Sequence, residues 1–287
     1  MLCKHKKGNL IDETHEQARI NSVRSPAKRC TPMTQAYKSL RFRVFLTIWA
    51  AGIIGSTVLI FTVLPQMLPA LLKGRPLPVP MWVVYASAII QNGVLLAVAA
   101  WLGALLAPAI GLHAPVVESV VSGQRALPKL RAQLPPALIT GSLIGVFLFL
   151  VNSYGPNAWV SVQSQYYPSL LTRLLAGGFM EEVLLRWGVM TTLAWVLWRV
   201  FQRQDSVPRA ALMWAAIVIS ALLFGLGHLP AVAKIVGGLT VNLAIFIVTA
   251  NMIAGVMFGW LYWRFGLECA MIAHAMAHLI NYFAGLV

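Results

Sequence analysis

The sequence predicts an all-α, polytopic membrane protein, folded as a bundle of seven to eight transmembrane helices with a polar intramembrane cavity. The composition supports this prediction, because 59% of the 287 residues are apolar and only 10% are charged. Soluble domains carry about 25% charged and about 45–50% apolar residues. In addition, glutamate and histidine residues lie inside the later apolar stretches. Ionisable groups at such positions usually face the interior of a bundle.

Apolar stretches of the length that a membrane span requires recur along the chain. A span needs about 20 predominantly apolar residues. Such stretches occupy residues 44–66, 81–108, 136–152, 168–201, 209–227, 235–263 and 267–286. The stretch at 168–201 is longer than one span needs, which predicts either one tilted helix or two shorter helices broken near Gly177 and Gly178. We expect a tail at 1–42, N-terminal transmembrane helices at 43–168 and a C-terminal transmembrane core at 169–287.

Positive charge is concentrated near the N-terminus, where residues 1–44 contain 10 Lys and Arg but only 3 Asp and Glu. Such a bias favours a cytoplasmic location beside an anionic leaflet. We therefore expect a basic, poorly ordered cytoplasmic tail and a multi-pass protein of a bacterial inner membrane. Nucleic-acid binding is a rival interpretation of a basic tail, but no motif organises these charges. We expect the lipid bilayer, and no nucleic acid, among the partners.

Two adjacent carboxylates, Glu181 and Glu182, lie inside an apolar stretch, where an unpaired carboxylate costs several kcal/mol. Neighbouring helical positions differ by about 100°, so we expect the two side chains not to point at the same partner. Arg186 follows Glu182 by four residues, the favoured order for an ion pair on a helix. Glu181 is then left over, and a carboxylate in an apolar site can serve as a general base. The alternative is a purely structural cluster of ion pairs.

Three of the six histidines, His228, His274 and His278, lie inside the last apolar stretches. Phe224 precedes His228 by one helical turn on the same face. His274 and His278 are also one turn apart, so we expect them to lie within about 6 Å at Cβ and to point the same way. A lone buried histidine is usually a satisfied core residue. Three in a bundle that also holds a glutamate pair favour a shared polar site.

These residues belong to motifs that occur in a defined order along the chain. The motifs are EEVLLR at 181–186, FGLGH at 224–228, a helix spaced by Gly255, Gly259 and Tyr262, and GLECAMIAHAMAH at 266–278. Together they resemble the motifs of the CAAX prenyl endopeptidase and bacteriocin-processing (CPBP) family of intramembrane proteases. The family pattern is Glu-Glu-x-x-x-Arg, then Phe-x-x-x-His, then His-x-x-x-Asn or Asp. The resemblance covers about residues 169–282.

The resemblance implies a metal-independent glutamate endopeptidase that hydrolyses a membrane-associated or lipidated protein or peptide and needs no cofactor. Glu181 and His228 would activate a water molecule, and Glu182 with Arg186 would be the orienting pair. The motif of the last helix would stabilise the tetrahedral oxyanion.

The sequence departs from the family pattern at position 278, where the family has Asn or Asp and this chain has His278. A neutral imidazole can still donate one hydrogen bond, so we expect His278 to act as an oxyanion donor beside His274. Asn281, one turn further along, is a substitute candidate.

Several alternatives remain open at this stage. His228, His274, His278 and Glu181 are residue types that bind zinc, so a zinc-dependent intramembrane hydrolase is one rival. The last helix lacks the HExxH motif, and this absence disfavours the zinc-dependent hydrolase. A non-enzymatic membrane protein, such as a transporter, immunity factor or scaffold, is another.

Two further residues of the C-terminal region have simpler interpretations. Cys269 lies five residues from His274, on a different side of the helix, which disfavours a nucleophilic role. We expect Glu268 to pair with Arg264, four residues before it.

Overall fold

The computed structural model describes residues 31–72, 74–165, 168–202 and 207–285. The chain divides into two units, residues 1–40 and residues 41–287. Within the described residues the secondary structure is helical and contains no strand, which confirms the all-α fold. Residues 1–30 of the expected tail lie outside the described part, and Thr31–Leu72 forms one helix.

Nine helices follow one another in the described part of the chain. They are α1 (Thr31–Leu72), α2 (Met81–Leu106), α3 (Pro115–Val121), α4 (Leu127–Tyr154), α5 (Asn157–Gln165), α6 (Leu170–Phe201), α7 (Ala210–Val236), α8 (Val241–Phe265) and α9 (Leu267–Ala284). A short 3₁₀ turn, Ala107–Ile110, extends α2.

Six of these helices, α1, α2, α4, α6, α7 and α8, are long and apolar enough to cross a membrane. They confirm a polytopic membrane bundle, although the sequence predicts seven to eight spans. The expected span at 267–286 corresponds to α9, a helix of 18 residues that contains Glu268, His274, His278 and Asn281 and is not one of the six. Large apolar side chains on the long helices are exposed, such as Ile90 at 66% and Leu143 at 65%, as lipid contact requires.

The longest predicted stretch forms one continuous helix, α6, rather than two broken at Gly177 and Gly178. Its hydrogen bonding is π-helical over Arg173–Glu181 and again over Val183–Met190. Wider π turns occur frequently at functional sites, because they change the angle between neighbouring side chains. The two π segments meet at Glu182.

The last helix, α9, is packed between α4 and the first half of α6. Small residues bring the backbones together. A Cβ at Gly141 on α4 would lie 2.7 Å from the Met276 Cβ, and one at Gly178 on α6 would lie 2.9 Å from the Ala275 Cβ. Close approach through small residues is typical of helix packing in membranes. The packing holds the histidines of α9 against the glutamates of α6.

Helices α7 and α8 form a second close pair. A Cβ at Gly255 would lie 3.0 Å from the Ala221 Cβ, and one at Gly259 would lie 3.1 Å from Ile217. These two glycines of the sequence motif therefore serve helix packing.

The expected pair of Glu268 with Arg264 is wrong. The Val117 backbone N–H on α3 donates to Glu268 Oε1 at 2.8 Å, and Glu268 is buried. A bend at Gly266 separates α8 from α9, so the two residues lie on different helices and the i,i+4 spacing does not apply.

Candidate active site

The two adjacent glutamates of α6 lie in different surroundings. The Glu182 side chain is fully buried, whereas the Glu181 side chain is 26% exposed. Arg186 Nη1 lies 3.1 Å from Glu182 Oε1, as the i,i+4 spacing predicts. The Arg186 Nη2 group also donates to the Gly255 carbonyl at 3.2 Å. Glu182 is thus held by an ion pair with Arg186 inside the bundle.

His274 contacts both glutamates through its two ring nitrogens. Nδ1 lies 2.8 Å from Glu182 Oε1, and Nε2 lies 3.9 Å from Glu181 Oε2. The expectation that the two carboxylates cannot reach one partner is therefore wrong. An imidazole presents nitrogen atoms at two ends, and the π-helical turns alter the angle between neighbouring positions.

The ring of His274 is held by aromatic neighbours from two other helices. The Phe258 ring stacks on it with the ring centroids 4.5 Å apart, and the edge of Phe224 approaches with a centroid distance of 6.1 Å. The Arg186 guanidinium lies 4.9 Å from the centroid of the Phe224 ring and 5.5 Å from that of the Phe258 ring. Such cation–π contacts contribute on the order of 1–2 kcal/mol when desolvated.

His228 lies near the middle of α7, with Nδ1 2.9 Å from the Phe224 carbonyl oxygen. A carbonyl only accepts, so Nδ1 carries a proton and donates. In the neutral ring Nε2 then has a lone pair, and it can accept a hydrogen bond or a proton. The Phe-x-x-x-His spacing of the motif sets this tautomer.

The rings of His274 and His278 are stacked, with centroids 4.9 Å apart and planes inclined by 23°. The predicted juxtaposition of these two residues is thus present. A Cβ on Gly177 would collide with His278 Nε2, and it would lie 3.5 Å from His274 Nε2. Only glycine at this position leaves room for both imidazoles. The His278 Nδ1 atom is buried without a hydrogen-bond partner.

A cavity of about 300 Å³ adjoins these groups. Its lining includes Glu181, His228, His274 and His278, whereas Glu182 and Arg186 are not part of it. The wall also contains apolar residues of α4, α5, α7 and α8, among them Trp159 and Phe246. The site thus combines one solvent-accessible carboxylate and three imidazoles with an apolar enclosure, which suits acid–base chemistry on a small polar group.

The remaining candidates lie outside this constellation. Asn281 accepts a hydrogen bond from Asn152 at 3.1 Å and does not line the cavity. Cys269 is a buried free thiol whose Sγ lies 3.5 Å from the Gln133 carbonyl oxygen. Among the described residues, no three or more His, Cys, Asp and Glu side chains are arranged to hold a metal ion. The metal independence of the site stays a prediction.

Arg173 and Gly177 line the cavity as well, and the sequence reasoning did not single out either of them as a site residue. A signal was present in the sequence, since both precede Glu181 at multiples of four residues on the same helix. Residues four apart lie on one helical face.

The fold and this constellation define a class of protein, a polytopic helical membrane protein whose acid–base groups converge on an intramembrane cavity. Residues 163–280 match a family model described as type II CAAX prenyl endopeptidase Rce1-like. The match includes α6 to α8, most of α9 and every motif residue of the cavity. It confirms the resemblance over this region and supports a membrane protease of the CAAX type. No curated protein and no solved structure shows a significant match to the chain.

Proposed function

We propose that the protein is a membrane-embedded endopeptidase that hydrolyses a peptide bond of a membrane-associated or lipidated substrate with a glutamate-activated water. One observation carries the proposal. Glu181 faces the cavity together with His228, whereas its neighbour Glu182 is fully buried against Arg186 and His274. A general base has to reach the water that it deprotonates, and Glu181 meets this requirement.

In the proposed reaction Glu181 takes a proton from a water molecule, which also donates a hydrogen bond to His228 Nε2. The water oxygen bonds to the carbonyl carbon of the scissile peptide, and an electron pair moves onto the carbonyl oxygen. When the intermediate collapses, the C–N bond breaks and the proton on Glu181 passes to the leaving nitrogen. One water is consumed, a carboxyl group and an amine are formed, and Glu181 is ionised again.

His274 and His278 would stabilise the oxyanion of the intermediate. The His274 Nδ1–H donates to Glu182, because a carboxylate only accepts, so Nε2 is the atom that His274 presents toward Glu181. Nε2 can donate to an oxyanion only when the ring carries both protons. His278 would supply a second donor, in the place that the family gives to Asn.

The surrounding membrane completes the proposal. We place the chain in a bacterial inner membrane with a cytoplasmic N-terminus, since residues 1–44 carry an excess of basic residues. A substrate delivered through the bilayer would reach the cavity without a soluble carrier domain.

The test is cleavage of a fluorogenic farnesylated peptide by the purified full chain, compared with Glu181→Gln and Glu182→Gln variants. We expect turnover by the wild-type chain and none by Glu181→Gln, with both proteins equally folded. An active Glu181→Gln with an inactive Glu182→Gln would reverse the two roles. If the wild-type chain cleaves neither this peptide nor an unmodified membrane peptide, the endopeptidase proposal is wrong.

The same assay with a chelator tests metal independence. We expect full activity after chelation and less than one equivalent of bound metal in the purified protein. One tightly bound zinc per chain, lost together with activity on chelation, would establish the zinc hydrolase instead.

A further inference from the structure

The cavity lies toward one end of the helical bundle, as the position of its lining residues along the helices shows. It borders the last turns of α4 and α7, at Asn152 and Ile235, and the first turn of α6, at Thr172. Its wall also contains Trp159 and Pro168, which belong to the connection between α4 and α6. We call this end of the bundle the cavity end.

Contacts of α4 and α9 distinguish the cavity end from the opposite one. These two helices run in the same direction, since Asn152 near the end of α4 donates to Asn281 near the end of α9 at 3.1 Å. Both begin at the opposite end of the bundle. There the Leu267 N–H, at the start of α9, donates to the carbonyl of His113 in the connection before α4 at 3.1 Å.

Basic residues are concentrated at the end opposite to the cavity, which we call the basic end. Nine Lys and Arg residues lie near the helix ends or in the connections on that side, against four on the cavity side. The nine are Arg41, Arg43, Arg125, Lys129, Arg131, Arg199, Arg203, Arg209 and Arg264, and the four are Lys73, Arg75, Arg173 and Lys234. Cytoplasmic connections of membrane proteins are enriched in Lys and Arg. The distribution therefore indicates a cytoplasmic basic end and an extracytoplasmic cavity end.

The groups of the proposed reaction lie closer to the cavity end than to the basic end. Along α6, Glu181 is about 16 Å from the first residue and about 30 Å from the last, at the α-helical rise. Along α7, His228 is about 12 Å from the end at the cavity side and about 27 Å from the beginning. The connection that adjoins the cavity, residues 154–168, contains no charged residue.

Buried side chains fill the bundle between these groups and the basic end. Trp187 and Met190 on α6 and Tyr262 on α8 are each at most 1% exposed. The Trp187 Nε1–H donates to the Ala100 carbonyl on α2 at 3.1 Å, and the Tyr262 hydroxyl lies 2.8 Å from that of Thr191. These contacts join α2, α6 and α8 into a packed layer. Water and a peptide would therefore reach the reacting groups from the cavity end.

We infer that the cavity opens to the extracytoplasmic side of the membrane, and that the substrate is the extracytoplasmic segment of an exported, membrane-anchored polypeptide. The inference rests on the proposed endopeptidase function and narrows its substrate class. A peptide bond on the cytoplasmic side would face the basic end, where the packed layer separates it from Glu181. The apolar cavity wall of α4, α5, α7 and α8 suits a polypeptide that stays anchored in the bilayer.

Thiol labelling in sealed membranes tests the direction in which the cavity opens. Cys3 and Cys30 are replaced by Ser, and the chain with only the buried Cys269 gives the background. One cysteine is then introduced at Ala231, which lines the cavity, or at Gln124, an exposed residue of the connection before α4. We expect a membrane-impermeant maleimide to label Ala231→Cys in spheroplasts, and Gln124→Cys only in inverted vesicles.

Two further cysteines make the labelling decisive. Asn157→Cys, exposed at the start of α5, should be labelled from the same side as Ala231→Cys. Asn251→Cys, on the α8 wall of the cavity, repeats the measurement if Ala231→Cys does not fold. The reversed pattern would overturn the inference. So would a cavity cysteine that reacts only after solubilisation in detergent, because the cavity would then be closed on the extracytoplasmic side.

Turnover separates this inference from the proposed function. The farnesylated peptide, used as a lipid-anchored probe with a sulfonated fluorophore that cannot cross the bilayer, is added to spheroplasts or inverted vesicles containing the full chain. We expect cleavage in spheroplasts and, in inverted vesicles, none above that of the Glu181→Gln chain. Cleavage only in inverted vesicles, or only in detergent, would overturn the inference and leave the endopeptidase intact. Without cleavage in any of the three preparations the proposed function fails, and the labelling of Ala231→Cys still decides the direction of opening.

Discussion

Two clusters in the described part of the chain combine two carboxylates with a histidine, and they differ in what their oxygen atoms face. In the cavity cluster, Glu182 Oε1 is held by Arg186 and His274, while Glu181 faces the cavity. The second group, the connector cluster, consists of His113, Glu118 and Glu268, and none of these three lines the cavity.

The carboxylates of the connector cluster are occupied by backbone groups. The Ala114 N–H donates to Glu118 Oε1 at 3.0 Å, and the Val117 N–H donates to Glu268 Oε1 at 2.8 Å. Both bonds satisfy N–H groups at the start of α3, which would otherwise lack partners. The same residue types therefore serve as helix caps in one cluster and line a cavity in the other. What distinguishes a candidate site is an acid or imidazole that still faces free space.

The largest expected effect comes from replacing one carboxylate by an amide in each of the two clusters. Glu181→Gln should abolish turnover, because the amide cannot accept the proton from water. Glu118→Gln should leave turnover unchanged, since this side chain caps a connector. Cleavage rates of the two purified variants, with helicity measured by circular dichroism, test the contrast. Loss of activity in both variants would remove the distinction between the clusters.

The His278 side chain gives the next largest effect. His278→Ala should lower turnover on the order of 10²-fold, which is typical for removal of one oxyanion donor. His278→Asn restores the family residue and should retain much of the activity. The readout is kcat, measured with folded protein of equal purity. Equal activity in all three proteins would reduce His278 to a packing residue and leave His274 as the side-chain donor of α9.

A methyl group added at Gly177 tests the spacing of the cavity cluster without removing a polar group. Gly177→Ala should displace His278, because its Cβ would collide with the imidazole. Displacements of about 1 Å can cost up to 10²-fold, so we expect a loss of about tenfold from a partial shift. Gly227→Ala on α7 is the control, since nothing lies within 4 Å of its added Cβ. An unaffected Gly177→Ala protein would mean that the stacked imidazoles tolerate movement.

The smallest effect concerns the pH dependence of the connector cluster. The hydrogen bond to Glu118 raises the pKa of His113 above 6.5, against the opposing effect of burial. Burial opposes ionisation of Glu118, but bonds from His113 and the Ala114 N–H lower its pKa below 4.5. The charged His113 stabilises the folded state below about pH 6.5, and this contribution is lost as the pH rises through the raised pKa. The charged Glu118 stabilises the folded state above about pH 4.5, and this contribution is lost as the pH falls through the lowered pKa.

The pair therefore stabilises the folded state most between about pH 4.5 and 6.5. Because both side chains are partly exposed, the contribution should be a few tenths of a kcal/mol. Thermal unfolding of wild type and His113→Ala across this range provides the measurement. A stability difference between wild type and His113→Ala that grows steadily above pH 7 would contradict this prediction.

The sequence was sufficient for the helical membrane fold and for the pairing of Glu182 with Arg186, because both follow from short-range spacing. It was insufficient for contacts that depend on tertiary packing. The bridge from His274 to both glutamates requires the π turns of α6, which no residue pattern specified. The Glu268 contact requires the connector to fold back onto α9 across 151 positions of sequence. Arg173 lines the cavity on the face of Glu181, and the four-residue spacing that indicates this was present in the sequence.

The aromatic enclosure of Arg186 has a consequence for how the cavity can open. The guanidinium of α6 lies against Phe224 of α7 and Phe258 of α8, and it bonds to the Gly255 carbonyl. Separating these three helices would leave the Arg186–Glu182 ion pair of α6 in an apolar environment without its contacts from α7 and α8, which is unfavourable. The contacts of Arg186 therefore hold α6, α7 and α8 together beside the cavity.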